Sequence, residues 1–163
     1  MIPADFNPRR KLASRAQARQ VLDDTIEQCS NRLRIFDDHG EFYGFERLSF
    51  AIALATFLAR SRTATATIIV HDVSYIERRC PRVVELLRQY GPQLQILQTD
   101  PQLHSFCRGS VIADHGVVLR RPHFDQATTF LDYGDEALVE ANRLLDEIRQ
   151  LATPAAIGRV TGL

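Results

Sequence analysis

The segment over residues 65–71 constrains the fold most strongly, because it reads TATIIVH and is rich in β-branched residues. Such a run is typical of a central strand whose two faces are both covered by other elements. Helical patterns precede and follow it, over residues 46–60 and 75–90. A strand between two helices predicts crossover connections, and therefore an α/β layer structure that contains parallel strands.

Shorter apolar runs extend this alternation along the chain. Residues 33–36 and 94–97 have the composition of two more strands. Residues 110–113 and 117–119 flank the polar segment 114–116, Asp-His-Gly, and this pattern predicts a β-hairpin with a tight turn. The sheet should therefore be mixed, with parallel strands early in the chain and an antiparallel hairpin late.

Two further helices complete the predicted fold, one over residues 14–30 and one that ends at Leu151. The predicted fold class is α/β, with a mixed sheet flanked by helices. We expect one domain over residues 14–151, preceded by an extended N-terminal arm over 1–13. A flexible C-terminal tail is predicted over 152–163, where glycine, proline and alanine are frequent.

The charge balance bears on possible partners. Twenty basic and twenty acidic residues cancel, so no net charge favours nucleic acid or an anionic membrane, and neither is predicted as a partner. A basic cluster at Arg9, Arg10, Lys11, Arg15 and Arg19 leaves open a local contact with an acidic partner such as nucleic acid. Lys11 is also the only lysine of the chain.

The cysteines and the apolar runs bear on the compartment. Cys29, Cys80 and Cys107 are odd in number and widely spaced, which indicates reduced thiols and not a disulfide framework. The polar N-terminus lacks the apolar core of a signal peptide, and the longest apolar run, residues 48–59, is too short to span a bilayer. These features predict a cytoplasmic protein.

The segment that follows the hairpin is rich in polar side chains that could bind a ligand or take part in catalysis. Arg120, Arg121 and His123 lie together there, and an arginine fork beside a histidine donor suits a phosphate or a carboxylate. These three residues are the predicted ligand-binding set. The alternative is that they pair with acidic residues of the chain and fix this segment to the last helix, with Asp125, Asp132 or Asp135 as the partners.

The element order and the hairpin resemble one half of the phospholipase D-like fold, whose catalytic signature is His-x-Lys-x4-Asp at this hairpin. Asp114 falls at the aspartate position of the signature, whereas Cys107 falls at the histidine position and Gly109 at the lysine position. The chain is also similar to small bacterial, degenerate phospholipase D-like domains of unknown function. That resemblance implies an acetyltransferase-type protein as a possible partner.

The same resemblance argues against the family's reaction. In that family one histidine attacks phosphorus, a second protonates the leaving oxygen, and lysines bind the phosphate charge. Cys107 and Gly109 do not supply these groups. The resemblance therefore implies a non-catalytic binding or assembly module that uses no cofactor. Because such halves meet across a two-fold axis, the apolar helix over residues 46–60 predicts a homodimer.

Three other chemistries stay open. A diverged phosphodiesterase or phosphoryl-transfer enzyme would use His104 or His123 with Arg120 or Arg121. Cys107, His104 and Asp114 could form a nucleophilic set, although a thiol that only packs beside a strand explains Cys107 equally well. A metal site could use the side chains of five scattered residues: His71, Asp72, His104, His115 and His123. These residues do not have the regular spacing of a structural zinc site, so no metal is predicted.

Overall fold

The computed structural model describes residues 9–157, which form an eight-stranded mixed sheet with helices on both faces. The order of the strands across the sheet is β1-β7-β6-β5-β2-β3-β4-β8. Strands β2, β3 and β4 are parallel, and the other pairings are antiparallel. The strands are β1 (Arg9–Leu12), β2 (Arg32–Asp37), β3 (Thr65–Val70), β4 (Leu94–Thr99), β5 (Gly109–Ala113), β6 (Val117–Arg121), β7 (Thr129–Tyr133) and β8 (Ala152–Pro154).

Five helices cover the sheet in two layers. Four of them contribute to one apolar core, and the last helix forms a second core on the opposite face of the sheet. The helices are α1 (Arg15–Gln28), α2 (Leu48–Ala59), α3 (Ser74–Arg79), α4 (Pro81–Gln89) and α5 (Asp135–Gln150).

Strand β3 shows why the β-branched segment belongs at the centre of the sheet. Its side chains alternate between the two cores, with Ile68 and Val70 on the side of α1 to α4 and Ile69 on the side of α5. All three are fully buried. Parallel neighbours β2 and β4 lie on either side of it. The predicted fold class, α/β with a mixed sheet flanked by helices, is confirmed.

Some elements differ from the sequence prediction. The pattern over residues 75–90 predicts a helix that begins near Pro81 after a short turn, and α4 does begin at Pro81. The expected turn is instead a second helix, α3, which ends before Pro81 because proline has no N–H group to continue it. Strand β7 was not predicted. Residues 9–12 of the expected arm pair with β7, and residues 152–154 of the expected flexible tail pair with β4. Residues 1–8 of the expected arm and 158–163 of the expected tail lie outside the described residues.

Helix α2 does not support the predicted homodimer. Six of its residues are buried within the chain, where the helix packs beside α1 and α4, so its apolar composition needs no second subunit. Leu48 and Ile52 are its large exposed apolar side chains, at 55% and 54% exposure. Between residues 9 and 157, no helix is both long and apolar enough to cross a bilayer.

Candidate functional site

The carboxyl end of β2 lies beside the open end of the β5–β6 hairpin. Phe36 of β2 pairs with Ser110 of β5, and Gly109 pairs with Arg121 of β6. Because these strands are antiparallel, the last residues of β2 meet the first residues of β5 and the last residue of β6. The sheet therefore brings Asp37 and Arg121 together, although they are 84 positions apart in the sequence.

Arg121 is committed to contacts within the protein. Its side chain is 5% exposed, and Nη1 donates hydrogen bonds to Oδ1 of Asp37 at 2.9 Å and to Oδ1 of Asp38 at 3.2 Å. Nη2 donates to the carbonyl oxygen of Phe124. The guanidinium carbon also lies 4.0 Å from the centre of the Phe42 ring. This arginine holds the hairpin on β2 and on the loop that follows β2.

Asp37 is a fully buried carboxyl group that shares this cation with a second carboxylate. Its Oδ2 accepts a hydrogen bond from the N–H of Gly40 at 3.0 Å. Burial and the nearby charge of Asp38 raise the pKa of Asp37 to about 7, against the opposing effect of Arg121. Tyr43 is also buried, and within the described residues its hydroxyl has no hydrogen-bond partner.

His71, which follows β3, serves to hold the segment after β4. Its Nε2 lies 2.7 Å from the carbonyl oxygen of Phe106, and its Nδ1 lies 2.6 Å from the hydroxyl of Thr99. A carbonyl oxygen only accepts, so Nε2 carries a proton. Burial lowers the pKa of His71, so the ring is neutral and Nδ1 accepts from Thr99. Both ring nitrogens are occupied and neither is available as a nucleophile.

Three of the predicted catalytic candidates lie at this open end. The exposed ring of His104 is 5.0 Å from the ring of His71, measured between centroids. The thiol of Cys107 donates to the carbonyl oxygen of Ser105 at 3.2 Å. Nδ1 of the exposed His123 accepts from the N–H of Asp125 at 3.1 Å.

The fourth candidate, Asp114, lies at the other end of the hairpin. Five residues of β5 separate it from the open end, a distance of about 16 Å. The structure therefore does not bring Asp114 together with Cys107 and His104.

Asp114 is bound to the segment that joins α1 to β2. Its carboxylate accepts from the N–H groups of Ser30, Asn31 and Arg32, at 2.9, 2.7 and 3.0 Å. The thiol of Cys29 lies 3.3 Å from Oδ1. Partial burial acts against ionisation, but these hydrogen bonds outweigh it and hold the pKa of Asp114 below its ordinary value. Asp114 thus has a structural role, which is to hold the hairpin turn on the α1–β2 connection.

Position 109, where the resemblance to the phospholipase D signature implies a lysine, has no room for a side chain. A Cβ atom added at Gly109 would lie 2.9 Å from Cε1 of Phe124 and 2.9 Å from the carbonyl oxygen of Phe36. The N–H of Phe124 donates to the carbonyl oxygen of Cys107 at 2.9 Å, which fixes the ring-bearing loop against the start of β5. An aromatic ring fills the space in front of this glycine.

A cleft on the opposite face of the sheet contains the other arginine of the pair. It lies between the β5–β7 strands and α5, and its volume is about 590 Å³. Arg120 Nε lies 2.6 Å from Oδ2 of Asp132, and Arg9 Nε lies 3.2 Å from Oδ1 of the same carboxylate. Arg108 is exposed at the cleft, and Glu136 and Glu140 of α5 line its far wall. The predicted alternative partner of Arg120, Asp132, is therefore the one observed.

Three residues of this site, Asp37, Asp38 and Phe124, are not among the site residues predicted from the sequence. The two aspartates could have been predicted, because they lie at the carboxyl end of β2, a buried strand with a parallel neighbour. In α/β sheets, binding sites form at the carboxyl ends of parallel strands. A single aromatic residue in a loop has no such periodic signal.

Solved structures resemble this fold at low sequence identity. TrmBL2, an archaeal chromatin protein described as showing a novel mode of DNA binding, matches with a TM-score of 0.69 and 12% identity. That match covers 94% of this chain, which spans 57% of the TrmBL2 chain. NucT from Helicobacter pylori matches with a TM-score of 0.67, and Nuc from Salmonella typhimurium, a phospholipase D family member, with 0.62. Each is 12% identical, and each match covers 90% of this chain and 98% of the other.

These matches show a phospholipase D-like fold and correct one prediction. The charge balance had argued against nucleic acid as a partner, but a chain of the same fold is a DNA-binding chromatin protein, so that exclusion is wrong. Overall neutrality does not exclude a local basic surface. The comparisons also give no support to an acetyltransferase-type partner.

The comparison with curated protein sequences finds no match. The family profile of the domain of unknown function DUF7931 matches residues 14–151. The chain therefore belongs to the DUF7931 family and has a phospholipase D-like fold.

Proposed function

We propose that this domain is a non-catalytic phospholipase D-like module that binds a phosphate-bearing ligand. The observation that carries the proposal is the filled space at Gly109, where the ring of Phe124 lies 2.9 Å from the position of an added Cβ. In the family's mechanism a lysine at the aligned position holds the phosphate charge. Here neither that lysine nor the histidine two positions earlier is present, because Gly109 and Cys107 stand in their places.

The proposed ligand site is the cleft between β5–β7 and α5. Arg121 belongs to the sequence-predicted binding set, but its contacts with Asp37 and Asp38 commit it elsewhere. Arg120 uses Nε for Asp132, and within the described residues its two terminal nitrogens have no hydrogen-bond partner. Those two nitrogens and the exposed guanidinium of Arg108 can contact phosphate oxygens in the fork geometry that arginine favours.

Fluorescence anisotropy of a dye-labelled oligonucleotide, with pyrophosphate as a competitor, tests this proposal. The Arg108→Ala/Arg120→Ala double variant should weaken binding about tenfold or more, because it removes two charge-assisted contacts. Arg88→Ala/Arg143→Ala is the matched control, since both arginines are exposed and pair only with a glutamate of their own helix. Equal binding by the two double variants would contradict the cleft as the site.

The alternative function is a diverged phosphodiesterase or phosphoryl-transfer enzyme that uses His104 or His123. Both histidines are exposed at the open end of the hairpin, and the hydrogen bond from Phe124 N–H to the Cys107 carbonyl brings the His123 loop to the start of β5. Cleavage of an activated phosphodiester that depends on one of these histidines would favour this alternative over the binding module.

A second binding surface is favoured by the similarity to the DNA-binding chromatin protein. Arg10 and Lys11 of β1 and Arg15 of α1 are exposed and close in sequence. Arg10 and Lys11 point to opposite faces of the sheet, but β1 is an edge strand, so a nucleic acid that follows this edge could contact both. Arg19, the last member of the basic cluster, is not available, because it donates to the carbonyl oxygens of Glu41 and Phe42. Nucleic acid bound here would contact the first strand and the start of the first helix.

A triple variant separates this surface from the cleft. Arg10→Ala/Lys11→Ala/Arg15→Ala should weaken binding of duplex DNA and flatten its salt dependence, because each lost phosphate contact removes released counterions. Arg78→Ala/Arg79→Ala/Arg88→Ala removes the same charge from the exposed surface of α3 and α4 and should bind like the parent. Loss of binding in both triple variants would indicate a nonspecific charge effect and contradict this surface.

A further inference from the structure

The closed end of the β5–β6 hairpin brings together three side chains of the types that bind metal ions. Cys29 follows the last residue of α1, and Asp114 and His115 form the hairpin turn. One potential ligand atom from each residue lies within 4.8 Å of the other two. Among residues 9–157, no other three or more histidine, cysteine or acidic side chains lie as close.

Two oxygen atoms lie close enough to the Cys29 thiol to accept a hydrogen bond, but the thiol can donate to only one of them. Its side chain is fully buried, and Sγ lies 3.1 Å from the carbonyl oxygen of Arg32 and 3.3 Å from Oδ1 of Asp114. A thiol has one proton and can donate to only one of these oxygens. A cation in place of that proton would interact favourably with the sulfur and with both oxygens.

The imidazole of His115 lacks the partners that a buried ring requires. Both ring nitrogens are shielded from solvent, and within the described residues neither makes a hydrogen bond. A neutral imidazole has one donor and one acceptor, and leaving both unpaired in a shielded position is costly. A metal ion bound at one nitrogen would satisfy the acceptor.

The carboxylate of Asp114 is already held in a fixed orientation. The N–H groups of Ser30, Asn31 and Arg32 donate to its two oxygens. Ligating carboxylates are commonly hydrogen-bonded in this way by groups that do not touch the metal. The site would therefore use an existing arrangement of the α1–β2 connection, with movement confined to the turn.

We propose that Cys29, Asp114 and His115 bind a zinc ion, because thiolate, imidazole and carboxylate are the donor types that zinc prefers. On binding, the S–H bond of Cys29 breaks, a sulfur–zinc bond forms, and the proton leaves to solvent. The thiolate and the carboxylate then balance the two positive charges of the ion. The fourth position of a tetrahedral site is taken by water or by the carbonyl oxygen of Arg32.

Formation of this site requires a small closure of the turn. Ligand atoms around tetrahedral zinc lie about 3.3–3.8 Å apart, given metal–ligand distances of about 2.0–2.3 Å. The closure falls on His115, because three hydrogen bonds fix the Asp114 carboxylate, whereas the ring nitrogens of His115 make no hydrogen bond within the described residues. The bound ion would fix the hairpin turn to the end of α1.

Cobalt(II) absorption spectroscopy of the full chain without an affinity tag tests the proposal. The parent should bind about one equivalent and show a thiolate-to-cobalt band in the near ultraviolet, and zinc should displace the cobalt. Cys29→Ser should lose the band, and His115→Ala should weaken binding about tenfold or more. Cys80→Ser is the matched control for a buried thiol and His123→Ala for an exposed imidazole, and both should behave like the parent.

Thermal unfolding with and without zinc gives a second measurement. Zinc should raise the melting temperature of the parent and of Cys80→Ser, and leave that of His115→Ala unchanged, because an ion that binds only the folded state stabilises it. If Cys29→Ser does not fold, His115→Ala still decides the question. Absence of a thiolate band in the parent at tens of micromolar cobalt, or parent-like binding by His115→Ala, would overturn the site.

Discussion

The two ends of the β5–β6 hairpin use their polar residues for different purposes. At the closed end Asp114 accepts from three successive backbone N–H groups of the α1–β2 connection. At the open end Cys107 and Gly109 lie against the Phe124 loop. Asp114 therefore has a role in the fold that does not depend on catalysis.

If Asp114 is the aspartate of the phospholipase D signature, as the resemblance implies, this difference would account for an aspartate that is kept without the histidine and the lysine. Replacement of Asp114 would leave three N–H groups of the α1–β2 connection without their acceptor. At position 109, by contrast, glycine leaves space that the Phe124 ring fills. An aspartate at position 114 is accordingly weak evidence for activity.

The largest expected effect concerns the adjacent arginines of β6. At a pH above about 7, where Asp37 is ionised, Arg121→Ala should destabilise the fold by about 3–5 kcal/mol, because it leaves the buried carboxylate of Asp37 without its cation. Arg120→Ala should cost about 0–1 kcal/mol, because its pair with Asp132 is partly exposed. Urea unfolding of both variants measures the difference. Equal losses would contradict the distinct roles assigned to the two arginines.

The buried carboxyl at the open end predicts a pH dependence of stability. The pKa of Asp37 in the folded protein is raised to about 7 from an ordinary value of 3.8. Its contribution to stability is fully present below the ordinary pKa and is lost as the pH rises through about 7, because the folded state binds the proton more tightly. The free energy of unfolding should therefore fall from pH 5 to pH 8.

Two variants identify the group responsible for the slope of the free energy of unfolding against pH. Asp37→Asn should remove it, since the amide does not titrate. Asp125→Asn should keep it, because the Asp125 side chain is 88% exposed. A slope that persists unchanged in Asp37→Asn would assign the pH dependence to another group.

At the closed end the expected loss is smaller. Asp114→Ala should destabilise the protein by about 2 kcal/mol, because it removes charge-assisted hydrogen bonds to backbone groups that water can partly replace. Asp125→Ala should change stability by less than about 0.5 kcal/mol, as expected for an exposed residue. Thermal unfolding and urea unfolding should rank the stabilities of the two variants in the same order. A neutral Asp114→Ala variant would show that the aspartate has no structural role.

The smallest change tests the packing in front of Gly109. Gly109→Ala should cost about 1–2 kcal/mol, because the new methyl group collides with the Phe124 ring and with the carbonyl oxygen of Phe36. In a double-mutant cycle Phe124→Ala should recover only part of this loss, since the contact with the backbone remains. Full tolerance of Gly109→Ala in unfolding experiments would mean that the space is open.

Most of the fold could be predicted from the sequence, because most of its helices and strands have strong local sequence patterns. The β-branched run of β3 and the two apolar runs that flank Asp-His-Gly predicted the central strand and the hairpin directly. Strand β7 was missed because Thr129–Tyr133 is short and no turn pattern separates it from the preceding loop. The edge strands β1 and β8 depend on partners distant in the sequence, so local patterns do not reveal them.

Less of the candidate site could be predicted. Adjacent arginines on a strand point to opposite faces, so the separation of Arg120 from Arg121 follows from sequence alone. Which carboxylates they meet does not, because Asp37 is 84 positions from Arg121 and reaches it only through the pairing of β2 with β5. The filling of the lysine position by Phe124 depends on a loop conformation without a sequence signature.

Turnover of an activated phosphodiester, bis(p-nitrophenyl) phosphate, by the purified protein tests the non-catalytic assignment most directly. The assay compares the parent with His104→Ala and His123→Ala, each with and without divalent metal ions. The filled space at Gly109 predicts no hydrolysis above the buffer rate by any of the three proteins. Hydrolysis by the parent that either histidine substitution abolishes would contradict the binding-module function and establish a diverged phosphodiesterase.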